Sequence, residues 1–155
     1  MYVILTGSNN LEDAVFTEKF LVDGIAKIQY DNEIPLSEIK ALIPRNPAGA
    51  TYHLSRLAKK YGITTKEYSP KWNATDDYPQ KIVDGGFYGK YNAYAAHNNN
   101  TRLVEMVRKT GGGYLLNFIT TKKDTDDIVR KAKAAGNIEI MEFSYRNYKS
   151  ETIQA

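Results

Sequence analysis

Three short turns and one polar stretch hold the residues with the most chemical capacity. Thr6-Gly7-Ser8 closes the apolar run Tyr2-Val3-Ile4-Leu5. A glycine there allows close approach to the backbone, and the two hydroxyls can donate to a phosphate or ribose oxygen. The same residues equally suit a plain turn with a helix N-cap. Pro44-Arg45-Asn46-Pro47-Ala48-Gly49-Ala50-Thr51 is the stronger anion site. It offers a guanidinium able to grip phosphate bidentately, then small residues, then a helix start with unpaired N–H groups. Its plain alternative is an ordinary strand-to-helix loop with Arg45 in solvent. Thr120 to Asp127 has the opposite charge: Asp124, Asp126 and Asp127 stabilise a helix dipole and repel phosphate. Helix capping is the better reading there, and any ligand contact falls to Thr120 or Thr121 and a ribose. His97-Asn98-Asn99-Asn100-Thr101-Arg102 stands ahead of a helix. It can read a base or sugar edge through Asn99 and Asn100, or simply cap that helix.

Other chemistries find fewer candidates. With two His and no Cys there is no thiolate zinc site, disulfide or Cys nucleophile, and the two histidines have no metal-ligand spacing; no metal or cofactor is expected. Acid–base hydrolysis would require Asp76, Asp77, Asp84 or Glu105 to enter a pocket with a pKa raised by burial. The 12 Tyr against 5 Phe and 1 Trp favour a site apolar in body and polar at the tip. Tyr88, Tyr91 and Tyr94 are candidates for a lid that stacks on a base. A net charge of +3 argues against nucleic acid as partner. No apolar run reaches the roughly 20 residues of a membrane span, and nothing reads as a signal peptide. The expectation is a cytoplasmic α/β protein that does not engage the membrane.

The elements that must position these turns follow from periodicity. Strands are expected at Tyr2–Thr6, Ala41–Ile43, Ile63–Tyr68, Tyr114–Ile119 and Ile138–Phe143, the last at a sheet edge because of Glu139 and Glu142. A helix is expected from Glu12 to about Val22, with Leu11, Val15 and Val22 near one face; Gly24 to Ser37 is ambiguous. Ala50, Leu54, Leu57, Ala58 and Tyr61 mark the clearest amphipathic helix, ended by Gly62. Further helices are expected over Thr101–Lys109 and Asp124–Ala135. Ser69 to Asn100 shows no clear period, so 72–100 is read as a long Tyr-rich insertion or lid, or as holding an unrecognised helix. Alternating strands and helices predict one Rossmann-like three-layer α/β domain over 1–155. Its mostly parallel five-stranded sheet should have the order 3-2-1-4-5. Ligands then bind at the carboxyl ends of the strands, where the order reverses.

Val3-Ile4-Leu5-Thr6-Gly7-Ser8-Asn9, Gly49-Ala50-Thr51 and Leu57-Ala58-Lys59-Lys60-Tyr61-Gly62-Ile63 together resemble the YspA-type branch of the SLOG superfamily. These are Rossmann-like domains related to the DprA and lysine-decarboxylase-like (LOG) proteins. Trp72, Asn100, Thr125 and Ala132-Lys133-Ala134-Ala135-Gly136 match further positions of that branch. Its paired glycines fall on Arg45 and Asn46, its first-turn Arg on Asn9, its Arg before Asn100 on Asn99, and a Gly on Asp124. The catalytic Glu of the phosphoribohydrolase relatives has no counterpart in Gly49-Ala50-Thr51-Tyr52-His53-Leu54. The resemblance implies a nucleotide-type ligand and a homodimer, without N-glycosidase activity.

The expected function is therefore binding of a nucleotide or nucleotide-derived ligand, ADP-ribose-like or a nucleoside phosphate. Thr6, Gly7, Ser8, Arg45, Asn46, Gly49, Ala50, Thr51, Asn99, Asn100 and Thr120 are the expected contacts. The alternatives are a hydrolase cleaving an N-glycosidic or phosphate bond of a nucleotide, and a single-stranded nucleic-acid binder. The abundance of Asn, Tyr and Lys suggests an AT-rich coding genome such as a phage's, and with it a sensing or sequestering role.

Overall fold

The computed structural model describes residues 1–46, 48–73, 77–86 and 89–154. β1 (Tyr2–Gly7), β2 (Lys40–Pro44), β3 (Thr64–Tyr68), β6 (Gly113–Ile119) and β7 (Ile138–Ser144) form one all-parallel sheet in the order β3-β2-β1-β6-β7. This is the expected 3-2-1-4-5 arrangement of the main strands, with β7 at an edge. Between β3 and β6 the chain adds a small antiparallel hairpin, β4 (Ile82–Asp84) and β5 (Lys90–Asn92). The helices are α1 (Ala14–Asn32), α2 (Ala50–Lys60), α3 (Ala95–Lys109), α4 (Asp126–Ala135) and α5 (Tyr145–Gln154). A 3₁₀ turn over Lys122–Thr125 leads into α4.

Side-chain alternation explains the three layers. Val3 and Leu5 of β1 enter the core beneath α1 and α2, together with Phe16, Leu21, Ile28 and Leu54. Ile4 enters the core on the other face, with Leu103 and Val107 of α3 and Ile128 and Ala132 of α4. Strands covered on both faces need continuous apolar sequence, which Val3-Ile4-Leu5 and Ala41-Leu42-Ile43 supply. α2 follows its expected pattern at Ala50, Leu54, Leu57 and Ala58, all buried, but Tyr61 is its C-cap and lies exposed rather than on that face.

Three helix expectations change. α1 extends through the ambiguous stretch to Asn32, and its buried face is Phe16, Thr17, Leu21, Gly24, Ile25 and Ile28. Val15 and Val22 point outward instead, 74% and 41% exposed. Gly24 sits in this helix because a Cβ there would lie 2.8 Å from Leu116 Cδ2. Its bare backbone lets α1 approach the sheet. Second, α3 begins at Ala95 rather than Thr101, so the Asn-rich stretch is helix and not a loop. Asparagine is a poor helix former, but Asn98 Nδ2 donates to the Pro79 carbonyl at 2.9 Å and Asn99 Nδ2 to the Tyr68 carbonyl at 2.8 Å. Those long-range bonds offset the propensity. Third, α5 adds a helix that the strand-rich reading of the C-terminus lacks. Its Tyr145 and Tyr148 pack on Phe16, at ring distances of 5.2 Å, and the Tyr145 hydroxyl donates to the Asp13 carboxylate.

Candidate functional site

A cavity of about 220 Å³ opens at the carboxyl ends of the strands, where the connections from β1 and β6 leave in opposite directions along the sheet. Of the expected contacts, Thr6, Gly7, Arg45, Asn46, Thr51, Asn99 and Asn100 line it. Ser8, Gly49, Ala50 and Thr120 are not on its wall; they build its frame. Tyr91 and Tyr94 are also off the wall, and Tyr88 lies outside the described residues. Tyr94 instead stacks on His97, which does face the cavity, with ring centroids 5.8 Å apart.

The frame explains both glycines. A Cβ on Gly7 would lie 2.2 Å from the Phe118 carbonyl oxygen and 2.6 Å from Ala50 Cβ, so only glycine lets the end of β1 meet both β6 and α2. Gly49 has φ +79°, and a Cβ there would lie 2.2 Å from the Asn9 carbonyl oxygen. Ser8 is a junction of the fold. Its N–H donates to the Phe118 carbonyl at 2.9 Å, its carbonyl accepts from the Ala50 N–H at 3.0 Å, and its Oγ accepts from the Thr120 N–H at 2.9 Å. With all three groups committed, Ser8 aligns β1, α2 and the β6 turn. Thr120 is committed too: its hydroxyl is 2.8 Å from Asn10 Oδ1 and 3.1 Å from Asp124 Oδ2.

On the β2 side the wall is rich in donors. Gly49 caps α2 without a side-chain hydrogen bond, and the first turn holds no acid. Ser8 takes the Ala50 N–H and the Gly49 carbonyl takes the His53 N–H at 3.3 Å. The N–H groups of Thr51 and Tyr52 have no backbone acceptor among the described residues. The Thr51 side chain is 5% exposed, lines the cavity, and its hydroxyl has no hydrogen-bond partner. Buried hydroxyls are rarely left so, because the lost hydration costs about 1–3 kcal/mol. Arg45 is exposed at the cavity rim, and its guanidinium makes no ion pair among the described residues. Its backbone N–H donates to the Tyr68 carbonyl at 2.9 Å, the same oxygen that Asn99 holds. Asn99 thus ties α3 to the Arg45 loop. Asn46 Nδ2 donates to Asn9 Oδ1 at 2.9 Å while its Oδ1 accepts from the Ala48 N–H, which fixes the loop at the mouth.

On the β6 side the wall is acidic. Asp124 and Asp127 both line the cavity. Hydrogen bonds from Ser8, and then from Thr121 and Thr120, outweigh desolvation and hold the Asp124 carboxyl below its ordinary value. Burial pushes Asp127 up, but hydrogen bonds from Lys131 and Asn100 and the charge of Lys131 outweigh it, so Asp127 also falls below the ordinary value. Lys131 Nζ lies 2.8 Å from one Asp127 oxygen and Asn100 Nδ2 3.1 Å from the same oxygen. Beneath this wall Asn117, fully buried, donates to Thr125 Oγ1 at 2.9 Å and leaves its own Oδ1 without a partner.

Helix capping, the role expected of these acids from the sequence, is not what their side chains do: neither the 3₁₀ turn nor α4 has a side-chain cap hydrogen bond, and the carboxylates bond Thr120, Lys131 and Asn100. A polar Asn117 inside the apolar strand Tyr114–Ile119 was the one available signal for this side. No family model and no curated protein matches the chain. The carboxylates named for hydrolysis stand elsewhere. Asp77 pairs with Arg102, Asp84 accepts from the Gly86 N–H, and Glu105 pairs with Arg108 at 2.7 Å; none of the three lines the cavity, and Asp76 lies outside the described residues. His53 faces away, 3.2 Å from Glu12, and His97 Nδ1 is 3.9 Å from Asp127 Oδ1. Among the described residues no cluster of three or more His, Asp or Glu side chains is arranged to hold a metal, and no helix is long and apolar enough to cross a membrane.

Proposed function

We propose that this cavity binds a nucleotide or nucleotide-derived ligand through a phosphate, as a sensor or sequestering protein rather than through turnover. One combination carries the reading: Thr51, whose buried hydroxyl has no partner among the described residues, lines the cavity at a helix N-terminus without a side-chain cap, and Arg45, with no ion pair among the described residues, stands at the same rim. An anion at that point would accept from the hydroxyl, from two N–H groups and from the guanidinium, and would lie at the favourable end of the helix dipole. The position at the strand-order reversal and the motif resemblance to the SLOG superfamily support the same class of ligand. A hydrolytic reading has less behind it: Asp77, Asp84 and Glu105 do not line the cavity, and Asp124 and Asp127, held in the ionised form, suit a proton-accepting role but not that of a general acid near neutral pH.

The test is a thermal-shift panel of AMP, ADP, ADP-ribose and NAD, with native mass spectrometry of the protein as purified. A ligand at one hundred times its Kd adds about 2.7 kcal/mol to the folded state, which raises Tm by several degrees. Selective stabilisation that Arg45→Ala removes is the expected result. A flat panel with no retained mass would overturn the reading.

A further inference from the structure

The two edges of the parallel sheet are built differently. β3 is five residues long, has no buried side chain, and carries Lys66 and Glu67. An edge so short and charged resists pairing with another strand. β7 is seven residues long, contains neither Gly nor Pro, and ends the strand order. Among the described residues no strand pairs with its outer side. Its Ile140, Met141 and Phe143 stay half-buried although they pack on the two cores.

Glu139 and Glu142 would ordinarily guard such an edge, but their spacing limits the protection to particular registers. They lie three residues apart and so on opposite faces: Glu139 shares the face of Met141 and Phe143, Glu142 that of Ile138 and Ile140. Directly opposed residues of an antiparallel pair share a face. Glu139 of one copy therefore never stands opposite Glu142 of another, and only a register centred on one of the acids opposes it to itself. The register centred on Met141 pairs all seven residues: Met141 with itself, Glu139 with Phe143, Ile140 with Glu142 and Ile138 with Ser144. It leaves one like-charge contact, the two copies of Glu142 as diagonal neighbours about 7–8 Å apart. Lys122 answers it, with Nζ 3.8 Å from Glu142 Oε2 on a side chain 81% exposed.

We propose that a second copy of this chain pairs with β7 antiparallel, in the register centred on Met141, and joins the two five-stranded sheets into one. The segment is its own complement about Met141 in length, apolar content and charge, which makes a second copy the fitting partner. The contact is isologous and closes at two chains. About six to eight backbone hydrogen bonds then occupy both open edges. No residue of β7 lines the cavity at the carboxyl ends of the strands, so the inference is independent of the phosphate reading.

The experiment combines light scattering of the full chain, over a roughly hundredfold range of concentration, with disulfide trapping by diamide. The chain has no cysteine, so one introduced thiol reports one position. Met141→Cys should cross-link to its own copy, because directly opposed Cα atoms lie within disulfide reach. Glu139→Cys should not, since its copy stands four residues along the strand, roughly 13 Å away. The mass should rise from 17.5 kDa toward twice that value, and Lys122→Glu should weaken the dimer by about fivefold or more. Lys122 is exposed, so its variant and the wild-type mass carry the test even where Met141→Cys fails to fold. A mass of 17.5 kDa at every concentration would overturn the inference. So would a dimer that Lys122→Glu leaves unchanged, or one in which folded Met141→Cys fails to cross-link or Glu139→Cys cross-links instead.

Discussion

The turn from β2 to α2 and the turn from β6 to α4 are counterparts: each leaves the carboxyl end of a central strand and starts a helix beside the same cavity. They use their helix N-termini in opposite ways. α4 carries acids at its end, Asp126 and Asp127 in its first turn and Asp124 just before it, although its Thr125 cap likewise makes no side-chain hydrogen bond. α2 has a glycine cap with no side-chain hydrogen bond, no acid in its first turn, and a buried hydroxyl without a partner. A helix N-terminus is a generic anion site only while nothing within the chain satisfies it. The same backbone geometry therefore gives an end whose dipole is answered by the chain's own carboxylates on one side and an end without acids on the other. Side-chain choice over about five residues decides which.

The largest expected effect breaks the frame that both turns share. Gly7→Ala would drive a methyl into the Phe118 carbonyl and Ala50, and overpacking of this kind costs about 1–3 kcal/mol or more. Urea unfolding should show the loss, and an unchanged midpoint would mean that β1 and α2 are not locked together there. Next comes Arg45→Ala, which should weaken a phosphate ligand by roughly 10- to 100-fold, as expected for a lost charge-assisted hydrogen bond. Stability should move by less than about 0.5 kcal/mol, because the side chain is exposed. Thr51→Val separates binding from folding more finely. It removes a hydroxyl without a partner and keeps the shape, so stability should hold or rise while affinity drops by several-fold. A loss of stability with affinity unchanged would show that the hydroxyl has a structural partner.

The acidic side has its own signature. Asp124 and Asp127 both sit below their ordinary value of 3.8 in the folded state. Their contribution is fully present above that value and is lost as pH falls through it toward the folded values. Asp127→Asn should thus lower stability at pH 7 and flatten the acid limb of a denaturation-midpoint profile below about pH 4. An identical acid limb in the variant would assign the acid sensitivity to other carboxylates, of which Asp13, held low first by the Phe16 N–H, is one.

Much of this architecture was legible because local pattern and tertiary role coincide. The run at Val3–Leu5 must be buried on both faces, and the α2 apolar spacing admits one packing. Gly49 and Arg45 sit where a strand hands over to a helix. What escaped the sequence depends on contacts between distant segments. Asn98 and Asn99 read as loop formers until the Pro79 and Tyr68 carbonyls accept their amides. Val15 and Val22 read as core until Phe16 and Leu21, one position away, take that face. Ser8 read as a ligand contact, but the structure spends its three polar groups on holding β1, α2 and β6 together. Asp124 and Asp127 read as caps, but neither helix start has a side-chain cap hydrogen bond, and their carboxylates bond Thr120, Lys131 and Asn100 instead; that they line the same cavity as the α2 start follows only from the strand order.

The most direct measurement is an amide-resolved NMR titration of the isotopically labelled chain with AMP. Saturable shifts concentrated on Arg45 and the Gly49–Tyr52 segment, with smaller ones near Asp124 and Asp127, are the expected result. No perturbation there, or shifts gathered at the opposite end of the sheet around Gly111–Gly113, would contradict the assignment of the open α2 terminus as the phosphate site.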